Sequence, residues 1–531
     1  MEQFSALLDR LVVTPQRNGK LKLIADYCAS APDPDRGFAI AAMTRDLDIP
    51  SIKPAMLRSL IGERMDEALF AISYDYVGDL AETIALAWPE KRGANRTPPL
   101  SEVVETLQSA SRTEGPRIIE TYLDALDPAA RWALLKLVTG GLRIGVSARL
   151  AKTALAQFGG VDVTEIEELW HGMSPPYEEL FAWLEGRAEK PVNAAAAPFR
   201  PVMLAHPIDA EKDLPGVTPQ EFVAEWKWDG IRVQAASENG ARRLYSRTGD
   251  DIGKAFPDIL EAMDFNAAID GELLVYDPAS EDYAVQPFGE LQQRLNRKTV
   301  SKKLLASHPA FIRAYDILEW NGEDLRKLPF SERRARLEQF FADIASDRFD
   351  LSPLVRFETT DELREARANP SHKAIEGLML KRKSAIYVPG RPKGEWWKWK
   401  RDPHLIDAVM MYAQRGHGKR SSFYSDYTFG VWRDDEIVPV GKAYFGFTDE
   451  ELKALDKFVR DNTTDRFGPV RQVAFGEDGG LVLEIAFEGL NRSKRHKSGV
   501  AMRFPRIHRI RWDKPAREAD RLETLEAMLP E

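Results

Sequence analysis

The run Glu225-Trp226-Lys227-Trp228-Asp229-Gly230-Ile231-Arg232 constrains this chain more than any other stretch. Its aromatic first half favours a strand, and a strand alternates its side chains between two faces. Glu225, Lys227 and Asp229 are therefore expected on one face. Gly230 then turns the chain, and Arg232 follows. A lone lysine between two acids is most often a surface ion pair. Here the string is longer, and residues of matching character recur downstream.

The 531 residues are enough for about three domains. Cys28 is the single cysteine, which excludes an internal disulfide and a multi-cysteine zinc site and fits a reducing compartment. The first ten residues carry Glu2, Asp9 and Arg10, unlike a signal peptide, and no apolar run has the length of a membrane span. Net charge is −9, yet DNA binding depends on a local basic face rather than on the total. Such a face is expected between Arg492 and Lys514. There Lys494, Arg495, Lys497, Arg503, Arg506, Arg509 and Arg511 accompany one acid, Asp513, while acidic excess lies in the tail 518–531. A solvated surface is the plain alternative.

Apolar spacing at Phe4, Leu7, Leu8 and Leu11, and at Leu80, Ile84, Leu86 and Ala87, predicts helices in the first part of the chain. Around Gly140-Gly141 one helix ends. Ser147 is placed to cap the next, whose apolar face would carry Leu150, Ala154 and Phe158. A helix start with free N–H groups suits phosphate. The stretch 188–201, rich in proline and alanine, marks a domain boundary. Beyond it strands alternate with helices, with a hairpin around Glu238-Asn239-Gly240 and a helix from Ser331, a candidate cap. From about 403 the pattern is mostly β with one inserted helix, Asp449 to Asp461, which suggests a small closed barrel.

Moving a nucleotide onto a lysine needs a neutral amine, although free lysine titrates near ~10.4. Neighbouring cations and burial lower that value. Phosphate charge must be balanced, carboxylates must hold a divalent cation, and an aromatic face must take the base. The chain supplies such groups in order: Ser246-Arg247-Thr248-Gly249, Asp270-Gly271-Glu272, Tyr315-Asp316, Glu376 to Lys381, Trp396-Trp397-Lys398-Trp399-Lys400, and Arg503-Phe504-Pro505-Arg506. Each alone reads as surface charge or core packing; the joint order does not.

With the first run, these seven stretches resemble the ordered motifs of the covalent nucleotidyltransferases, and across nearly the whole chain the ATP-dependent DNA ligases. The resemblance implies an α-helical DNA-binding domain over 1–190, an α+β adenylation domain over 204–402 and a β-barrel OB-fold domain over 403–531. It implies Lys227 as the nucleophile toward ATP, with Glu225 accepting from the adenine amino group and Tyr315 stacked on the ring. Arg232, Arg247 and Glu272 would hold ribose and α-phosphate, and Lys398 and Lys400 would face the phosphates. Arg391 sits close to where the family places another arginine, with Pro392 and Lys393 blurring the register. Arg503 would engage pyrophosphate, and Glu272 and Glu376 would bind Mg²⁺. The expected partner is nicked duplex DNA, the expected state a monomer, and the expected setting a bacterial cytoplasm at the nucleoid. Capping guanylyltransferases and RNA ligases share the lysine motif but not the long helical region. A NAD⁺-dependent ligase would need a cysteine zinc site. A DNA-end-binding scaffold without chemistry is the alternative of another class.

Overall fold

The computed structural model describes residues 1–529 except 78, 90–95, 194, 281–283, 296, 298, 345, 416–422, 469, 477–478 and 494–495. Lys494 and Arg495 of the expected basic face, Ala194 of the linker and the last two residues of the acidic tail lie outside the described residues. The chain forms two compact units. One holds 1–161, 175–189 and 403–531; the other holds 162–174 and 190–402. No helix among the described residues is long and apolar enough to cross a membrane.

The region before the linker is helical. Asp79, Asp127, Ser147 and Asp162 cap their helices by accepting a first-turn N–H. Phe4, Leu7, Leu8 and Leu11 are all buried, as their spacing predicts. Leu86 departs from expectation at 66% exposed. Its helix, Leu80–Ala87, buries Ala81, Ile84 and Ala85, a stripe that leaves position 86 on the outer side. In Ala148–Gly159 the buried face carries Ala151, Ala154 and Leu155, so Leu150 and Phe158 flank the core instead of forming it. A hollow of about 880 Å³ opens beside the Gly140 to Ser147 connection, lined also by Arg17, Lys20 and Arg45. Lys20 is buried there and donates to the Ile144 carbonyl at 2.5 Å.

The second unit is built on two sheets. Strands β1 (His206–Pro207), β2 (Phe222–Trp228), β3 (Ile231–Glu238), β4 (Ala241–Ser246), β5 (Ala267–Val275), β6 (Ala310–Trp320), β7 (Glu323–Asp324), β8 (Phe349–Leu351), β9 (Leu354–Val355), β10 (Ile375–Arg382) and β11 (Trp396–Lys400) follow in order. The first sheet runs β1-β11-β10-β2-β9; the second runs β4-β3-β5-β6-β7, with β8 on β6. The founding run crosses between them: β2 ends at Trp228 and β3 begins at Ile231. Asp229 thus sits in the bend, where its N–H donates to the Ala374 carbonyl at 2.8 Å, and strand alternation stops before it. Asn239 and Gly240 turn the β3–β4 hairpin at φ 52° and 78°, the pair of positive values a two-residue type I′ turn requires. Val233, Ile269, Ile312 and Ile317 of the second sheet pack with Leu337 and Phe340 of the helix Phe330–Asp343. That helix begins one residue ahead of Ser331, which falls in its first turn and caps nothing; Pro329 occupies the cap position.

The β-rich end of the first unit carries β12 (His404–Arg415), β13 (Tyr424–Arg433), β14 (Glu436–Ala443), β15 (Thr463–Phe467), β16 (Val470–Val473), β17 (Val482–Phe487), β18 (Gly489–Arg492), β19 (Val500–Arg503) and β20 (Arg506–Arg511). The long β12 pairs with β13, β16 and β17, and β17 continues to β20. The Ile507 N–H donates to the Phe445 carbonyl at 3.1 Å, which brings the far ends of the curled sheet together. The helix Asp449–Asp461 inserts where expected and starts with a Thr448–Glu451 capping box. This is the OB-like barrel the β pattern predicts. The β15–β16 and β18–β19 pairs carry many polar residues, and their sequences do not announce them.

Candidate active site

Antiparallel pairing sets Glu225 opposite Met379 and Lys227 opposite Gly377. The register shifts between Ile375 and Gly377, leaving Glu376 as the extra residue of a bulge. Without that bulge strand alternation would turn Glu376 to the other face. With it, Lys227 Nζ donates to Glu376 Oε1, and Lys400 Nζ lies 3.1 Å from Oε2. Gly377 permits the packing: its φ is 147°, and a Cβ there would lie 2.2 Å from the Trp399 carbonyl oxygen on β11. Burial alone would raise the Glu376 carboxyl, but the two lysines hold it below the ordinary carboxylate value.

The opposite wall comes from the second sheet. Arg232 grips Asp270 through Nε (3.2 Å) and Nη2, and reaches the Met203 carbonyl (2.5 Å) and the Tyr387 hydroxyl (3.1 Å). Tyr387 in turn donates to Asp270 at 2.6 Å. Gly230 lets β5 approach, since a Cβ on it would lie 2.5 Å from the Leu273 carbonyl oxygen and 2.9 Å from Glu272 Cγ. The Glu272 carboxyl is pushed up to about 8 by desolvation, with Glu376 and Asp229 adding and Lys227 and Arg232 opposing. Lys398 is lowered by burial and then by Arg391, Lys400, Lys227 and Arg247; Arg247 is lowered by burial, Arg232 and Arg391. These cations feel one another, and such a cluster suits a polyanion.

Glu225 is 1% exposed and ends between two cations: Lys381 Nζ at 2.8 Å and Arg334 Nη1 at 3.4 Å. Tyr315 is half-buried on β6, and burial pushes its hydroxyl well above its ordinary value. On β11, Trp396 packs with Tyr387 in one cluster, while Trp397 and Trp399 pack in another. Alternation therefore turns Lys398 and Lys400 together, as expected.

The second unit thus holds Lys227, Glu225, Arg232, Arg247, Glu272, Tyr315, Glu376, Arg391, Lys398 and Lys400. Arg503 belongs to the other unit, on β19 opposite Gly489, with its guanidinium 5.4 Å from the Phe504 ring centre. Residues the motifs left without a role hold the others in place: Asp270 and Tyr387 on Arg232, and Lys381 and Arg334 on Glu225. Asp270 and Lys381 lay inside the motifs themselves, and that was their signal. Tyr387 and Arg334 gave none.

The basic face is less basic than its own segment suggests. Sheet pairing brings Glu484 to 3.2 Å from Arg509, and Asp407 to 3.2 Å from Arg511 and 2.7 Å from Lys514. Asp513 is not the local acid alone, because β12 and β17 supply others across the strands.

Fold and site define a multidomain enzyme with a lysine held among clustered cations and carboxylates. The family model of the ATP-dependent DNA ligase domain matches residues 202–400, and that of the ATP-dependent DNA ligase C-terminal region matches 420–514. A probable DNA ligase of Koribacter versatilis is 30% identical, covering 99% of this chain and 96% of its own. DNA ligase 1 of Korarchaeum cryptofilum is 27% identical, covering 98% and 97%. The solved structure of Pmar-Lig_PreS3 shares the fold with a TM-score of 0.60 at 14% identity, covering 96% of this chain and 99% of its own. The chain belongs to the ATP-dependent DNA ligase family. It is a DNA ligase, an enzyme that spends ATP to form phosphodiester bonds in DNA.

Proposed function

We propose that Lys227 attacks the α-phosphate of ATP, forming a lysyl-AMP phosphoramidate and releasing pyrophosphate. AMP then passes to the 5′-phosphate of a nick, and the 3′-hydroxyl attacks that phosphate and expels AMP. The carrying observation is the bulge that turns Glu376 onto Lys227 amid Lys398, Lys400, Arg247 and Arg391. Glu225 reads the adenine amino group and Tyr315 stacks on the base. Arg247 and Arg391 with the β11 lysines hold phosphate, and Arg232, anchored on Asp270, shapes the ribose side. Arg503 meets pyrophosphate when the barrel closes. That closure goes with a division into three domains at 1–190, 204–402 and 403–531, which is part of the same proposal.

Mg²⁺ fits this donor set. Glu272 and Glu376 face each other's charge, and no group of three or more metal-binding side chains occurs among the described residues. A cation that keeps waters and takes phosphate oxygens needs few protein ligands. When bound it would neutralise phosphate charge. The substrate is nicked duplex, the working state a monomer, and the setting a bacterial cytoplasm at the nucleoid. The hollow near Gly145, with Lys20, Arg17, Arg45 and Arg143, suits backbone phosphate. Affinity for a nick should therefore fall steeply with salt; a flat response would remove the electrostatic account.

The deciding experiment is intact mass after incubation with Mg²⁺ and ATP, GTP or NAD⁺. One AMP adduct from ATP alone, absent in Lys227→Ala, is expected. An adduct retained by that variant would displace Lys227 as nucleophile.

A further inference from the structure

The mechanism leaves Lys381, Arg333 and Arg334 without a task, yet all three are buried. Lys381 is 1% exposed at the end of β10. Its ammonium bonds to Glu225 Oε2 at 2.8 Å and to the Tyr315 carbonyl at 3.3 Å. It lies 4.5 Å from the Tyr315 ring centre and 4.7 Å from that of Trp396. A cation enclosed by aromatic faces and one carboxylate has little freedom to move. Arg334 approaches the other oxygen of Glu225 at 3.4 Å, and is itself fixed by the Ser352 carbonyl (2.8 Å) and Glu338 (2.8 Å). Its neighbour Arg333 clamps Asp316, next to Tyr315, at 2.8 and 2.9 Å, with both side chains fully buried. One helix, Phe330–Asp343, and one lysine thus brace both residues proposed to read the base.

We infer that Lys381 and Arg334 are positioning residues for nucleobase selection: they fix Glu225 as a hydrogen-bond acceptor that takes a purine bearing a 6-amino donor and rejects one bearing a 6-oxo group. The inference rests on the reading of Glu225 as the base contact. An ionised carboxylate only accepts hydrogen bonds, so it pairs with an amino group and leaves a carbonyl oxygen unpaired. A site built to match one polar group discriminates strongly against its absence. Removing either cation frees the carboxylate to rotate off the base, so the preference for a 6-amino over a 6-oxo purine weakens.

The test is the ratio of kcat/KM for lysyl-nucleotide formation with ATP against ITP, which differ at position 6. Lys381→Met should lower the ratio by about tenfold or more, and Lys381→Arg should restore most of it. Arg334→Met should move it in the same direction. Loss of folding alone would lower both rates together and leave the ratio intact, and thermal melting identifies any variant that is not folded. Should Lys381→Met not fold, Arg334→Met decides. Glu225→Gln separates the two readings. If it shifts the ratio while folded Lys381→Met and Arg334→Met do not, the brace is overturned and the base contact stands. If Glu225→Gln leaves the ratio unchanged, the base contact fails and the brace fails with it.

Discussion

Glu376 shares its two oxygens between two lysines that come from different strands. Glu376→Gln keeps the shape but removes the charge, so both lysines lose their counterion and the proposed metal loses a ligand. Lysyl-AMP formation should fall by about a hundredfold or more, with the melting temperature changed little, measured by adduct mass against time and by calorimetry. Cys28 makes a contrasting case. It is fully buried, and desolvation pushes its thiol up to about 12. Iodoacetamide at pH 8 should leave the folded protein unlabelled and modify it completely in denaturant; labelling of the native state would contradict the packing. At this scale the sequence revealed the residues proposed to do chemistry and concealed those that hold them. Lys227, Glu376 and the β11 lysines stand out by type and spacing. The grip of Arg334 on Glu225 spans 109 positions and is made by folding alone. The acids beside Arg509 and Arg511 were hidden for the same reason.

Among elements, the β10–β11 pair has the narrowest tolerance. Gly377→Ala would press a Cβ into the backbone of β11 and strain a positive φ, costing about 2 kcal/mol or more. Because β11 carries Lys398 and Lys400, adduct formation should fall further than stability does. In the helical region Arg36 is 5% exposed and meets Asp33 at 2.6 Å and Glu185 at 2.5 Å. Its hydrogen bonds, with help from Arg187, hold the Glu185 carboxyl down at about 2. The folded value lies below the ordinary one near ~4.3. That contribution is therefore present above the ordinary value and is lost as pH falls through the folded one. Melting temperature should drop on acidification below the ordinary value, and Glu185→Gln should flatten the drop. Periodicity found most helices and strands because burial imposes it. It misled at Leu86, which the stripe of its helix leaves on the outer side. It failed at Asp229 because a bend ends alternation.

For the whole molecule, two compact units imply two cooperative transitions. Calorimetry should resolve them. A nonhydrolysable ATP analogue at a hundred times its dissociation constant should stabilise the transition of 162–174 with 190–402 by about 2.7 kcal/mol. A single transition, or a shift in both, would show that the units do not unfold independently. The main segment of the second unit begins at Lys190, inside the proline- and alanine-rich stretch 188–201. That 162–174 belongs with that unit was not legible, since its ties, such as Glu168 to Arg326 at 2.7 Å, are long-range.

Lys227 and Glu376 lie 149 positions apart in the chain. On the ribosome, at about 5–20 residues per second, the lysine emerges roughly 7 to 30 s before its carboxylate. The β11 lysines come later still. A nascent chain therefore displays its proposed nucleophile well before it has the means to use it. On the proposed mechanism, charging with AMP waits for the last strand of the site, so only a finished adenylation unit would take up AMP.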